Sequence, residues 1–271
     1  MVNCIPEVFI AGANADIGNA LLRNFAADGW RVGGTYRNTS PELTGAPDSA
    51  EPFFIACDFS LPGFAGEVAE RYTSAGREWD VFISAVGTML PVGPFMETPF
   101  ADWEQGLRVN LLSQLELVHS LYPYRRPDKV AHVVLLAGGG TNGPFRNYSA
   151  YCLSKIGLIK ACELLDDECA DLNAFIVGPG WVRTKIHAET LVSGARAGEN
   201  QARTRDFLDS GDSGTAHDVI YRCIRWGIEA GREVAGGRNF SVVHDPWREA
   251  GFSARLKADG NLCKLRRSNP Q

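Results

Sequence analysis

Short apolar runs recur along the chain, each followed by a stretch with the three-to-four-residue apolar spacing of a helix. Residues 7–11, 31–36, 53–57, 81–85, 130–136, 174–177 and 239–243 have the length and composition of buried strands. Helical spacing predicts helices over 19–28 (Leu21, Leu22, Phe25), 62–77, 100–122, 149–170 and 215–230. Pro62 opens the second of these, where a missing N–H costs least. Residues 38–52, rich in Ser, Pro, Thr and Gly, predict a surface loop, and 185–213 is polar and helix-like. Strands alternating with helices over the whole length imply an α/β fold, a doubly wound parallel sheet of about seven strands with helices on both faces. No internal repeat and no dividing linker is visible, so residues 1–271 are expected to form a single domain.

The turns between these elements carry the candidate chemistry. The first strand breaks at Gly12-Ala13-Asn14-Ala15-Asp16-Ile17-Gly18 and runs into the first helix. In that setting a glycine pattern points to a dinucleotide site. Gly12 permits the turn, Gly18 lets helix and strand pack closely, and the helix N-terminus receives the pyrophosphate. The middle glycine is absent: one spacing puts Asp16 in its place, the other Ala15. A carboxylate beside a pyrophosphate is unfavourable unless Asp16 points away, for example as a helix cap. The second strand ends at Tyr36-Arg37. An acid there would bind the ribose 2′-hydroxyl of NAD, whereas an arginine can pair with the 2′-phosphate of NADP.

Tyr151 and Lys155 stand four residues apart, one above the other on one face of the predicted helix 149–170. A cation close to a phenol stabilises the phenolate and so lowers a pKa of about 10. A tyrosine tuned in this way can give a proton to a carbonyl or take one from an alcohol. Many Tyr/Lys pairs at this spacing are solvated surface features, so the pair alone does not define a site.

Composition narrows the class. The chain has 271 residues, 45% hydrophobic and 22% charged, with a net charge of −5 and no basic stripe, which argues against nucleic-acid partners. No apolar run has the length of a membrane span, and the first seven residues lack signal-peptide features. The seven cysteines (Cys4, Cys57, Cys152, Cys162, Cys169, Cys223, Cys263) form no CxxC pair and suit a reducing compartment, not a disulfide frame or metal site. A cytoplasmic protein acting on a small molecule is expected, with no metal.

From Val8 to Val243 the ordered set of motifs resembles the short-chain dehydrogenase/reductase family, in its compact branch. The resemblance implies a Rossmann-like, NAD(P)-binding domain. The glycine loop matches apart from its middle glycine, and Asp58 stands where the family faces the adenine ring. Ser84-Ala85-Val86-Gly87 replaces the usual Asn-Asn-Ala-Gly, placing Ala85 at the cofactor. Asn110 matches the asparagine supporting a relay water, and Tyr151 and Lys155 match the catalytic pair. Pro179-Gly180-Trp181-Val182-Arg183-Thr184 matches the segment beside the nicotinamide, with Val182 and Thr184 in contact, and a substrate lid is implied over 185–213. The family commonly forms dimers or tetramers through the helices carrying Asn110 and Tyr151, so a homodimer or homotetramer is expected.

One departure concerns the chemistry directly. The family's serine, about thirteen residues before the tyrosine, falls on Gly138 here. Thr141 or the backbone N–H groups of Gly138 to Gly140 could replace its hydroxyl, and Ser149 lies too close to Tyr151. The expected activity is therefore NADP-dependent hydride transfer (NAD possible) with a carbonyl or secondary alcohol, Tyr151 acting as general acid/base. A cofactor-binding protein with weak catalysis is one alternative. An enzyme modifying nucleotide-linked or surface-polysaccharide sugars is another, on a loose likeness of segments 137–144 and 181–190 to relatives in such pathways. His187, at the start of the lid, could contact substrate, and Cys152 and His244-Asp245 read as structural.

Overall fold

A computed structural model of the chain describes residues 5–43 and 51–267. Its centre is β1 (Glu7–Ala11), every residue of which is buried, as a strand covered on both faces requires. Around it run β2 (Arg31–Tyr36), β3 (Phe53–Ala56), β4 (Val81–Ser84), β5 (Ala131–Leu136), β6 (Leu172–Gly178) and β7 (Asn239–Ser241). They form one seven-stranded parallel sheet in the order β3-β2-β1-β4-β5-β6-β7. The order reverses between β1 and β4, and in such sheets the crevice beyond the strand carboxyl ends at that point receives ligands.

The helices are α1 (Asp16–Ala27), α2 (Phe64–Ser74), α3 (Phe100–Leu107), α4 (Ser113–Leu121), α5 (Ser149–Glu168), α6 (Ile186–Val192), α7 (Glu199–Asp209), α8 (His217–Ala230), α9 (Arg232–Ala235) and α10 (Phe252–Ala258). Alternate side chains of each strand go to opposite faces. Val8 and Ile10 pack with Leu21, Phe25, Ile220 and Ile224 of α1 and α8. Phe9 and Phe82 pack on the other face with Val68, Leu117 and Leu158 of α2, α4 and α5. At the amino end of β1, buried Glu7 accepts hydrogen bonds from the Tyr72 hydroxyl (2.8 Å) and Arg77 (3.0 Å), while Asp80 accepts the Glu7 amide (2.8 Å).

The doubly wound parallel sheet matches the sequence expectation, with three differences. The predicted helix 100–122 is interrupted by a π turn over Arg108–Leu112, between α3 and α4. The wider turn rotates the residues after it, and π turns of this kind recur at functional sites. The region after β7, where no helix is predicted, contains α10, whose Phe252 and Leu256 are buried. Phe252 stacks on Trp226 (5.8 Å), and Arg266 of the tail pairs with Glu163 of α5 (2.6 Å). Strand β7 is also shorter than the predicted run 239–243. Residues 44–50 of the predicted loop 38–52, and Cys4, lie outside the described residues.

Gly157 on α5 lets that helix approach the π turn, since a Cβ there would lie 2.8 Å from Leu111. Gly157→Val should therefore overpack the contact and cost about 1–3 kcal/mol. Gly66, inside α2 with nothing within 4 Å of its missing Cβ, provides the control. Gly66→Ala should stabilise by about 0.4–1 kcal/mol, and urea midpoints of the two variants check both signs.

Candidate active site

A cleft of about 1580 Å³ opens at the carboxyl ends of the strands, from the glycine loop to the segments after β5 and β6. Gly12, Asn14, Asp16, Ile17, Arg37, Asp58, Ala85, Tyr151, Lys155, Val182 and Thr184 all line it. Gly18 and Asn110 stand behind its wall, since neither is among the lining residues.

The glycine loop has the geometry of a cradle. Gly12 has a φ of 75° and gives its N–H to Thr35 Oγ1 (3.1 Å). A Cβ on Gly18 would lie 2.1 Å from the Gly12 carbonyl oxygen, so α1 meets β1 at a distance only glycine allows. No side chain caps α1, which leaves its first N–H groups to an anion or solvent. Asp16 is not a cap. Its Oδ2 accepts the backbone N–H of Lys185 (2.6 Å), which turns the carboxylate towards the segment before α6. Asp58 accepts the Ser60 N–H (2.8 Å), and that bond holds its carboxyl below the usual range. Arg37 is exposed at the rim, and no hydrogen bond or ion pair engages it among the described residues. These features fit a nicotinamide dinucleotide: the uncapped α1 N-terminus would hold a pyrophosphate, and Arg37 and Asp58 would flank the adenosine end.

Tyr151 and Lys155 sit on the first turns of α5, both buried, facing the middle of the cleft. Lys155 Nζ donates to the Leu136 carbonyl (2.9 Å) and lies 5.6 Å from the centre of the Tyr151 ring. Burial holds the Lys155 ammonium down to about 8. Burial, with smaller contributions from Cys152 and Glu189, pushes the Tyr151 phenol above its ordinary value. The expected lowering of Tyr151 by Lys155 is therefore not the state of the cofactor-free cleft: desolvation outweighs the cation, and both groups are driven towards neutrality.

Gly138 explains the missing serine. A Cβ there would lie 1.9 Å from the Tyr151 hydroxyl, so the phenol occupies the space a side chain would need. Thr141 lines the cleft, and its hydroxyl is directed towards the Gly138 carbonyl (3.4 Å).

Asn110, at the centre of the π turn, is fully buried and clamps the loop after β4. It donates to the Thr88 carbonyl (2.8 Å) and accepts the Thr88 N–H (2.9 Å). Its backbone carbonyl accepts the side-chain amide of Gln114 (2.7 Å). Neither Gln114 nor Glu189 stands out in the sequence, and the partners of Glu189 are distant in the chain. Glu189 on α6 accepts from the Thr88 hydroxyl (2.9 Å) and the Met89 N–H (2.5 Å). His187 is buried, stacks on Trp181 (5.5 Å) and pairs with the Val182 carbonyl (2.8 Å), which fixes the start of α6. Cys152 is half-buried beside Gly139 and Gly140, and Asp245 accepts the Ser241 N–H (2.7 Å) within a turn.

The family model described as enoyl-(acyl carrier protein) reductase matches residues 12–221. The chain belongs to the short-chain dehydrogenase/reductase family. It is 26% identical over 232 residues to the serine 3-dehydrogenase of Agrobacterium fabrum, covering 81% of this chain and 86% of that protein. Two solved short-chain dehydrogenases share the fold. One, YIR035C of Saccharomyces cerevisiae, is 20% identical with a TM-score of 0.74, over 89% of this chain and 97% of that one. The other, from Shigella flexneri and complexed with NADP, is 19% identical with a TM-score of 0.71, over 88% and 96%. This short-chain dehydrogenase/reductase is thus an oxidoreductase of a family that binds NAD(P), and neither the weak-catalysis nor the sugar-modifying alternative is favoured. Among the described residues no helix is long and apolar enough to cross a membrane, and no cluster of three or more His, Cys, Asp or Glu is placed to hold a metal.

The depressed Lys155 has a consequence for stability. Above the unfolded value of 10.5 both states carry a neutral amine, and below about 8 both carry the charge, whose burial then costs on the order of 3 kcal/mol. The penalty is full below pH 8 and fades as pH rises towards 10.5. Lys155→Met should therefore stabilise the cofactor-free protein at pH 7, by an amount that shrinks across that window. Paired urea titrations at pH 7 and 10.5 measure the difference.

Proposed function

We propose that this chain is an NADP-dependent oxidoreductase that moves a hydride between the nicotinamide and a carbonyl or secondary alcohol, with Tyr151 as general acid/base. The observation that carries the reading is the Tyr151 hydroxyl, which stands in the cleft against Gly138 between the glycine loop and residues 178–184. Bound there, the nicotinamide supplies or receives the hydride. Tyr151 supplies the proton that turns the substrate oxygen into a hydroxyl, or removes it in the reverse direction. Its buried phenol is held protonated in the free enzyme, as a general acid requires. Once the proton is given, Lys155 is the nearby cation that steadies the phenolate.

Asn110 acts as a positioning residue, fixing Thr88 and thereby the loop that faces Tyr151. The N–H groups of Gly138 to Gly140 are the better candidates for the lost serine, because Thr141 directs its hydroxyl to a carbonyl. Residues 185–213 form the lid, moored to the glycine loop through Asp16 and to the β4 loop through Glu189. Exposed Phe100, Leu112, Leu153 and Leu164 on the α3–α4 and α5 faces suit a homodimer or homotetramer, and the free described cysteines suit the cytoplasm.

Cofactor choice rests on Arg37, unpaired at the rim, and on Tyr36 in place of an acid. Arg37→Ala should weaken NADPH binding by about 1.5–3 kcal/mol and leave NADH unchanged. Equal loss on both cofactors, in a fluorescence titration, would show that Arg37 does not read the phosphate.

Tyr151→Phe removes only the proton donor. Turnover on a carbonyl panel should fall by about a hundred-fold or more while NADPH affinity holds. Wild-type turnover in that variant would refute the assignment.

A further inference from the structure

Four carboxylates line the cleft: Asp16, Asp58, Asp102 and Glu189. Asp16 and Asp58 each hold a backbone N–H, and Asp102 is exposed on α3. Glu189 differs from all three. It is half-buried on the substrate side, and its Oε2 alone takes both of its hydrogen bonds, from Thr88 and Met89. Those bonds fix the side chain, and its Oε1 has no partner among the described residues.

Among the described residues no cation forms an ion pair with this charge, and Lys185 and Arg203, which also line the cleft, are exposed. Arg196, another lining residue, spends its guanidinium on the Val92 carbonyl (2.9 Å) and the Thr98 hydroxyl (3.2 Å). Lys155 gives its bond to Leu136. A substrate with no donor there would cover the open carboxylate oxygen without satisfying it, which costs binding. One with a charged donor would gain a short, strong hydrogen bond there. Sites built around such a group reject analogues that lack its partner.

Resting on the oxidoreductase reading above, we propose that Glu189 is the specificity residue of the site and that the substrate carries a protonated amine close to the reacting carbon, as an amino alcohol or amino ketone does. The amine seats on Oε1, while Oε2 keeps the lid on the β4 loop. Glu189 and Tyr151 line the same cleft, so one small ligand can reach both.

Calorimetric titration in the presence of NADPH, which cannot take a hydride from an alcohol, tests this without any hydride transfer. The probes are 1-amino-2-propanol against 1,2-propanediol, and 2-amino-1-phenylethanol against 1-phenyl-1,2-ethanediol, which fills more of the cleft. The wild type should bind the amine of at least one pair about 10- to 100-fold more tightly than the diol. Glu189→Gln keeps an acceptor for Thr88 and Met89 but loses the charge. It should abolish that preference while weakening diol binding by no more than a few-fold. Equal binding of amine and diol by the wild type, no measurable amine binding, or equal loss of both ligands in Glu189→Gln would overturn the proposal, the last leaving Glu189 as a lid anchor only. Absence of Tyr151-dependent turnover would instead overturn the oxidoreductase reading and leave the binding comparison standing.

Discussion

Every feature of the cleft depends on the reversal of strand order between β1 and β4. Because β2 and β4 flank β1 on opposite sides and all three run parallel, the chain must leave their carboxyl ends in different directions. A crevice opens between the departing loops. Gly12 and Gly18 set its floor, since any side chain on Gly18 would strike the Gly12 carbonyl and lift α1 from the sheet. The opposite edge of the sheet carries a different load. There Glu7, buried with Tyr72 and Arg77, joins β1 to the end of α2. A charge so deep is strongly destabilising when one partner is removed, so this end is built for integrity and the other for chemistry.

Within the cleft, two groups compete for one volume. With glycine where the family has its serine, the Tyr151 hydroxyl occupies the place a side chain at 138 would need. Electrostatics follow from the same crowding. Burial acts on Tyr151 and Lys155 together, raising one and lowering the other to about 8, and at 5.6 Å from ring to ammonium the attraction does not offset it. At pH 7 the resting pair is therefore a neutral phenol beside an ammonium, with the proton on the phenol where a general acid needs it.

Local signals in the sequence covered much of this. Seven apolar runs marked the strands, the break after Ala11 marked the nucleotide turn, and four-residue spacing put Tyr151 and Lys155 on one helical face. What escaped has a common cause. The π turn at 108–112 leaves the apolar spacing of a continuous helix nearly unchanged, so no periodicity reveals it. Phe252 and Leu256 lie among glycine, lysine and arginine, and their burial depends on Trp226, distant in sequence. Glu189 meets Thr88 across 101 residues, and Asp16 meets Lys185 across 169. Contacts of that range leave no local trace.

Those two long-range contacts also share a form. Asp16 departs from the glycine expected in its loop, and its carboxylate faces the segment before α6 instead of the cradle. Glu189 reaches from α6 itself to the loop after β4, which Asn110 holds from behind. In both, a carboxylate takes a backbone N–H, so the bond constrains the path of the main chain and not merely a side chain. Residues 185–189 are thus fixed at one end to the cofactor half of the cleft and at the other to the substrate half. Movement of either anchor must pull on the short helix between them. That helix carries His187, whose stacking on Trp181 ties it to the wall beside the nicotinamide site.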